Sequence, residues 1–264
     1  MNIFLHELKS YRKSVLTWAL SMAAMASLYI FLFQTISMDI EAFTKVLESV
    51  PEALRNALGI LVGSLSTLPG FYSSIFIYFL LCGAIQAMNL GVSVIAKEVS
   101  AKTADFLLTK PVSRAVILTS KMLAVLASLL LTNLLFLAIT VPVALSQEPG
   151  INMTQFLMIS ATLFLLQLMF ASLGILVAVI TRKIKSVVAV SLPIVFGFFI
   201  AGMLGSIIGE KVIRYITPFK YFDLAYILAN SAYEVSYLVV GMLFIVVAIV
   251  MSYLVYGRKD IHAV

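Results

Sequence analysis

The chain has 264 residues, 62% of them hydrophobic, and its mean hydropathy is +1.10, which excludes a soluble globular protein. The formal net charge is +6, and we attribute it to loops on one side of a membrane rather than to nucleic-acid binding. The single cysteine, Cys82, excludes an internal disulfide.

Six stretches of the chain contain no Asp, Glu, Lys or Arg. Each has at least the ~20 residues that a helix needs to cross a bilayer core. We therefore predict an all-α integral membrane protein with six transmembrane helices, in which residues 1–264 form a single transmembrane domain. The predicted spans are residues 15–36, 71–96, 122–145, 153–180, 187–208 and 235–256.

The Lys and Arg residues are distributed unequally between the two sets of loops. The termini and the loops after the second and fourth spans hold 13 of them, whereas the loops after the first, third and fifth spans hold 5. The positive-inside rule places the 13 in the cytoplasm. We predict a multi-pass protein of a cell membrane, with both termini cytoplasmic.

The segment before the first span, Met1–Ser14, has apolar and polar residues at helical spacing. Its apolar stripe is Ile3, Phe4, Leu8 and Tyr11, and its polar residues are Glu7, Lys9, Arg12 and Lys13. The pattern predicts an amphipathic elbow helix at the cytoplasmic interface, with Glu7 on the polar face.

Two external loops have patterns of their own. Residues 39–58 carry apolar positions at helical spacing, with a break near Ser49, which predicts two short amphipathic helices on the outer membrane face. A packed cap without a substrate role is the alternative. In Gly209–Glu234, four tyrosines and Pro218 indicate a re-entrant or interfacial hairpin.

The second span carries small and polar residues among its apolar ones. Gly83, Ala87 and Gly91 form a small-residue stripe suited to close helix approach, and Gln86 and Asn89 share a neighbouring face. We interpret these five residues as lining a translocation path or a dimer interface. Hydrogen bonding between helices, together with Asn133 and Gln167 of later spans, is the alternative.

The largest cytoplasmic loop, residues 97–121, divides into two parts. Glu98–Leu108 is a predicted helix that ends in apolar residues and is stopped before Pro111. Ser113 then suits the N-cap of the next helix. A charged helix with a terminal apolar cluster suits docking in a groove of a soluble partner, and a solvated basic loop is the alternative.

This loop resembles the first cytoplasmic loop of type-2 ABC exporter permeases. The matching residues are Glu98, Thr103, Leu107, Leu108, Pro111, Val112, Ser113, Arg114 and Lys121, whereas Lys102 stands where that family usually has Gly. The elbow segment, the run Pro218–Asp223 and the C-terminal tail are also similar to that family. The resemblance implies a prokaryotic permease that works as a dimer, with itself or a similar subunit, and contacts a separate ATPase subunit. The residues that it assigns to ATPase coupling are Glu98, Thr103, Phe106, Leu107, Leu108, Pro111 and Arg114.

The sequence lacks the motifs of several other classes. No Gly-x-x-x-x-Gly-Lys-[Ser/Thr] occurs, so we expect ATP and Mg to bind to the partner ATPase and no cofactor or catalytic residue on this chain. With His6 and His262 near the termini and Cys82 alone, we expect no metal site. The absence of acidic residues from the spans argues against a proton- or sodium-driven carrier.

We therefore predict the permease subunit of an ABC exporter, which forms the path and couples it to ATP hydrolysis by a partner. Uncharged spans favour a hydrophobic, drug-like or antimicrobial-peptide cargo. A membrane scaffold or sensor without transport, and an ATP-independent secondary carrier, are the alternatives. The choice between a homodimer and a heterodimer is left open.

Overall fold

The computed structural model describes residues 3–51, 54–55, 62–100, 113–181, 183–208 and 211–258. Short 3-10 turns lie at Val62–Ser64 and Pro218–Lys220. The α-helices of this part of the chain are α1 (Ile3–Ser37), α2 (Ile40–Glu48), α3 (Leu68–Ser100), α4 (Arg114–Gln147), α5 (Met153–Ile180), α6 (Val187–Ile208), α7 (Lys211–Ile216), α8 (Leu224–Asn230) and α9 (Val235–Arg258).

Six of these helices are long and apolar enough to cross a membrane, namely α1, α3, α4, α5, α6 and α9. Each contains one of the predicted charge-free stretches, and the described residues include no β-strand. The predicted all-α fold with six spans is therefore confirmed. Helix α1 has 35 residues, which at about 1.5 Å per residue exceeds the thickness of a bilayer core.

The second span, α3, lies at the centre of the bundle. It packs most extensively against α5 and also contacts α1, α4 and α6, while α1 pairs with α4 and α9 packs on α5. In its most apolar part α3 is 67% buried, against 17% for α6 and for α9. The polar residues of α3 are therefore held by neighbours on several sides.

The N-terminal segment is continuous with the first span, because α1 runs without a break from Ile3 to Ser37. The expected place of Glu7 on the polar face is wrong, since its side chain is buried at 3% exposure. Helical spacing put Glu7 beside the basic residues, but the packing of α1 against α3 and α4 covers it. The interfacial position of this segment stays a prediction.

The segments that were predicted to be external form short helices. Helix α2 ends at its C-cap, Ser49, where the break was predicted, while most of the second expected helix falls outside the described residues. In the loop before the last span, α7 and the turn at Pro218 fold back on the fifth span, α6, whereas α8 packs against α5 and α3. Thr217 Oγ1 donates a hydrogen bond of 2.8 Å to the carbonyl of Phe198, near the middle of α6.

The shape of this last loop depends on one arginine. The Arg214 guanidinium pairs with Glu234 and lies 3.8 Å from Asp223 Oδ2. It also lies 4.0 Å from the centroid of the Tyr237 ring, and its Nε donates to the Lys220 carbonyl. One side chain therefore links α7 and the middle of the loop to the start of α9.

Candidate coupling and translocation site

A buried polar network joins three spans near their midpoints. Gln167 Nε2 of α5 donates to Gln86 Oε1 of α3 over 3.1 Å, and Gln86 Nε2 donates to Thr132 Oγ1 of α4 over 2.9 Å. Asn133 Nδ2 of α4 donates to Gln167 Oε1 over 2.5 Å and also to the Leu129 carbonyl. All four side chains are at most 8% exposed. The side-chain contacts of Gln86 therefore include hydrogen bonds between helices of one chain.

The small-residue stripe of α3 faces α5. A Cβ added to Gly91 would lie 2.4 Å from the Ala171 carbonyl oxygen, and one added to Gly83 would lie 2.3 Å from a Leu163 methyl group. Ala87, between them, is fully buried. Close packing within one chain accounts for the small side chains, and a role of this stripe at a subunit interface stays a prediction.

One face of α3 is only partly covered by the rest of the chain. Tyr78, Cys82, Ile85 and Asn89 follow one another at intervals of four, three and four residues, so they lie on one helix face. Tyr78 is 44% exposed and the other three are partly exposed. We call these four residues the open face of α3. It presents a phenol and an amide where a lipid-facing helix normally presents apolar side chains.

Asn89 is the polar residue of the open face nearest the C-terminal end of α3. Its Oδ1 is covered, and among the described residues no donor lies within hydrogen-bonding distance of it. An unpaired buried amide oxygen costs free energy, so this position is unfavourable in an isolated chain.

Charged residues meet where the loop between α3 and α4 leaves and re-enters the bundle. Glu7 of α1 pairs with Lys97 of α3 through Oε2 and with Lys121 of α4 through Oε1, the latter over 3.2 Å. The Lys121 ammonium also donates to the Val94 carbonyl over 2.6 Å. We call Glu7, Lys97 and Lys121 the charge cluster.

Most of the predicted coupling residues fall outside the described residues. These are Thr103, Phe106, Leu107, Leu108 and Pro111, together with the side chain of Glu98. Ser113 is the N-cap of α4, as predicted, because its Oγ accepts from the Val116 amide. Arg114 Nη1 lies 3.4 Å from the Gly257 carbonyl oxygen, so it links the start of α4 to the end of α9.

Sequence reasoning missed the charge cluster. It noted Glu7 as part of a polar face and Lys121 as a family match, but it gave neither residue a partner. The available signal was a lone acid in a strongly basic N-terminal segment. The partners lie 90 and 114 residues away, so spacing within one helix could not reveal them.

The comparison with known families agrees with this geometry. The sequence model of the ABC-2 family transporter proteins matches residues 1–261, which is nearly the whole chain. The chain therefore belongs to the ABC-2 transporter family, and the resemblance stated from residues 97–121 is confirmed. No match to the chain was found among curated proteins.

Membership of this family defines the general role of the chain. It is the multi-pass membrane subunit of an ABC transport system, and it is not the ATPase of that system. The family implies a partner ATPase subunit.

Proposed function

We propose that this chain forms the translocation path of an ABC exporter for amphiphilic cargo with a large apolar body, such as a drug-like molecule or an antimicrobial peptide. It works as a dimer with itself or a similar subunit. The energy comes from ATP hydrolysis by the partner ATPase, and residues 97–121 receive the movement of that partner.

The observation that carries the proposal is the open face of α3. In its most apolar part this helix is the most buried of the spans, yet on one side Tyr78 is 44% exposed and Asn89 is partly exposed. A polar side chain in contact with lipid tails costs free energy, because the tails offer it no hydrogen bond. Contact with a second subunit or with the translocation path is therefore more favourable for Tyr78 and Asn89.

The chemistry of the open face indicates the class of cargo. It carries an aromatic ring, a thiol, an aliphatic chain and an amide, and no ionised group. Such a surface favours a ligand with a large apolar area and a few hydrogen-bonding groups. It offers no counter-charge to a small inorganic ion.

The proposal is tested by crosslinking between subunits and by transport. In a Cys82→Ser background, cysteines at Tyr78, Ile85 or Asn89 should crosslink two subunits or become protected by cargo. Cysteines at Ala87 or Gly91 should not, because these positions face α5. Crosslinking confined to another span would show that α3 lies away from the dimer axis.

The transport experiment uses the chain copurified with its ATPase from native membranes and reconstituted in liposomes. Asn89→Leu should preserve assembly and lower ATP-driven export of fluorescent amphiphiles. Leu134→Ala, at a 61% exposed position of α4, serves as the control and should leave export unchanged. A purified chain without an ATPase, or flux that is independent of ATP, would overturn the exporter assignment in favour of a scaffold or a secondary carrier.

A further inference from the structure

The charge cluster connects three helices through one carboxylate. Each oxygen of Glu7 is paired with a different lysine, so the side chain bridges α3 and α4 at the cytoplasmic end of the bundle. Lys97 immediately precedes Glu98, where the predicted coupling helix begins, and α3 itself continues to Ser100. Lys121 lies about two turns after Ser113, in α4. Glu7 therefore touches both ends of the cytoplasmic loop.

Burial makes this connection rigid. The Glu7 side chain is 4% exposed and that of Lys121 is fully buried, whereas Lys97 is 34% exposed. A buried carboxylate that loses one of its lysines leaves an uncompensated charge, so separating the helices here is strongly disfavoured. The additional bond from Lys121 to the Val94 carbonyl attaches α4 directly to the backbone of α3.

A second set of contacts fastens α1 to α3 beside the cluster. The Tyr11 hydroxyl shares a hydrogen bond of 3.0 Å with Ser93 Oγ, and the Lys97 ammonium lies 4.6 Å from the centroid of the Tyr11 ring. Tyr11 is one helical turn after Glu7, so both residues lie on the same side of α1. The N-terminal part of α1 is thus held to α3 over more than one turn.

We infer that Glu7 is a positioning residue for energy coupling, which makes the N-terminal part of α1 move together with both ends of the cytoplasmic loop. This inference rests on the proposed function, because the movement originates in the partner ATPase. A force on residues 98–113 then reaches α1, α3 and α4 together. Without Glu7, the loop can move while α1 stays in place.

The test follows α1 directly. A spin label is attached to a cysteine at Leu5, which is 57% exposed, in a Cys82→Ser chain within the reconstituted complex and its copurified ATPase. Spectra are compared between the nucleotide-free complex and the complex trapped with ATP and vanadate. The label should respond to trapping in the parent. In Glu7→Gln, and in the milder variant Lys97→Gln, the spectral change on trapping should be smaller by about fivefold or more, while the amount of trapped nucleotide stays the same.

Two control variants separate positioning from general stability. Lys97→Arg keeps the charge and should keep the response, and Lys9→Gln removes an exposed charge from the same helix and should also keep it. The transport per ATP hydrolysed should fall in Glu7→Gln and Lys97→Gln and stay unchanged in both controls.

The outcomes distinguish this inference from the proposed function. An undiminished response at Leu5 in Lys97→Gln and Glu7→Gln overturns the positioning role while ATP-driven export by the parent still stands. A parent that exports with ATP but shows no response at Leu5 overturns it as well. A parent complex without an ATPase overturns the proposed function, and the inference falls with it.

Discussion

Gly174 of α5 lies against Gly91 of α3, so closely that a Cβ placed on Gly174 would be 3.2 Å from the Gly91 Cα. The same Cβ would be 2.8 Å from the Met88 carbonyl oxygen. Backbone therefore meets backbone at this crossing, which is the type of contact that small residues permit between membrane helices. The α3–α5 pair is the most extensive helix contact of the fold.

The first prediction concerns this crossing. In Gly91→Ala, the new Cβ would lie 2.4 Å from a backbone oxygen, so the helices must separate. We expect a destabilisation of roughly 1–3 kcal/mol from overpacking, measured as a lower unfolding temperature of the purified protein in detergent. Gly197→Ala is the matched control, because no atom lies within 4 Å of the Cβ position in the middle of α6. Equal unfolding temperatures for the two variants would contradict the close packing.

The second prediction concerns the buried network. Gln167→Leu removes the donor to Gln86 and the acceptor of Asn133, so we expect a loss of about 1–2 kcal/mol of stability. The double variant Gln86→Leu/Gln167→Leu should lose less than the sum of the single variants, because the two side chains share a hydrogen bond. Gln34→Leu, at an exposed position of α1 whose side chain makes a long bond of 3.5 Å to the Gln147 carbonyl, should have a smaller effect. Strict additivity in the double-mutant cycle would show that the pair is not coupled.

The third prediction concerns orientation. In a Cys82→Ser background, a cysteine at Lys45 or Gly150 should react with an impermeant thiol reagent added outside intact cells. Cysteines at Lys102 and Lys183 should react only after the membrane is opened. Gly150 is preferable to Glu148, because Glu148 Oε2 accepts a hydrogen bond from the Leu68 amide, whereas the space around Gly150 is open. Labelling at Lys102 from outside would reverse the proposed topology.

The fourth prediction concerns docking of the ATPase. Phe106→Ala removes a large apolar side chain from the predicted coupling helix, and such an anchor commonly contributes ~2 kcal/mol or more to an interface. We expect less ATPase in the purified complex, or hydrolysis that no longer drives export, while the chain still inserts. Arg114→Ala should have a smaller effect on ATPase recovery, since its guanidinium reaches the end of α9. Normal recovery and export in Phe106→Ala would exclude the docking role.

The fifth prediction concerns alkaline pH. Burial raises the pKa of Tyr233, in the loop before α9, from its usual 10.0 to about 12, and its hydroxyl donates a hydrogen bond of 2.7 Å to the Met158 carbonyl. The folded state favours the neutral phenol, so this contribution to stability is complete below pH 10 and is lost as the pH rises through about 12.

The corresponding measurement is the unfolding temperature as a function of pH. Tyr233→Phe should lose less stability than the parent between pH 10 and about 12, although it starts lower because a hydrogen bond is missing. Tyr226→Phe, at a 37% exposed position of the same loop, should follow the parent curve. Identical alkaline profiles for the parent and Tyr233→Phe would rule out the buried phenol as the cause.

The sequence by itself determined the class of this protein and its six spans. A charge in the central part of a membrane helix costs free energy whatever its neighbours are, so a long charge-free stretch can be recognised from the sequence alone. The end of α2 at Ser49, the N-cap at Ser113 and the turn at Pro218 were predictable for a similar reason, because capping and proline effects act within a few residues.

The tertiary structure decided which polar groups meet. Gln86 is a generic amide in the sequence, and only the packing of α3 against α4 and α5 places it between Thr132 and Gln167. The glycine stripe predicted a close helix contact but could not name the opposing helix, which is α5. Glu7 shows the limit most clearly. The pattern of α1 placed it with the solvated charges, and two lysines from distant parts of the chain make its burial stable.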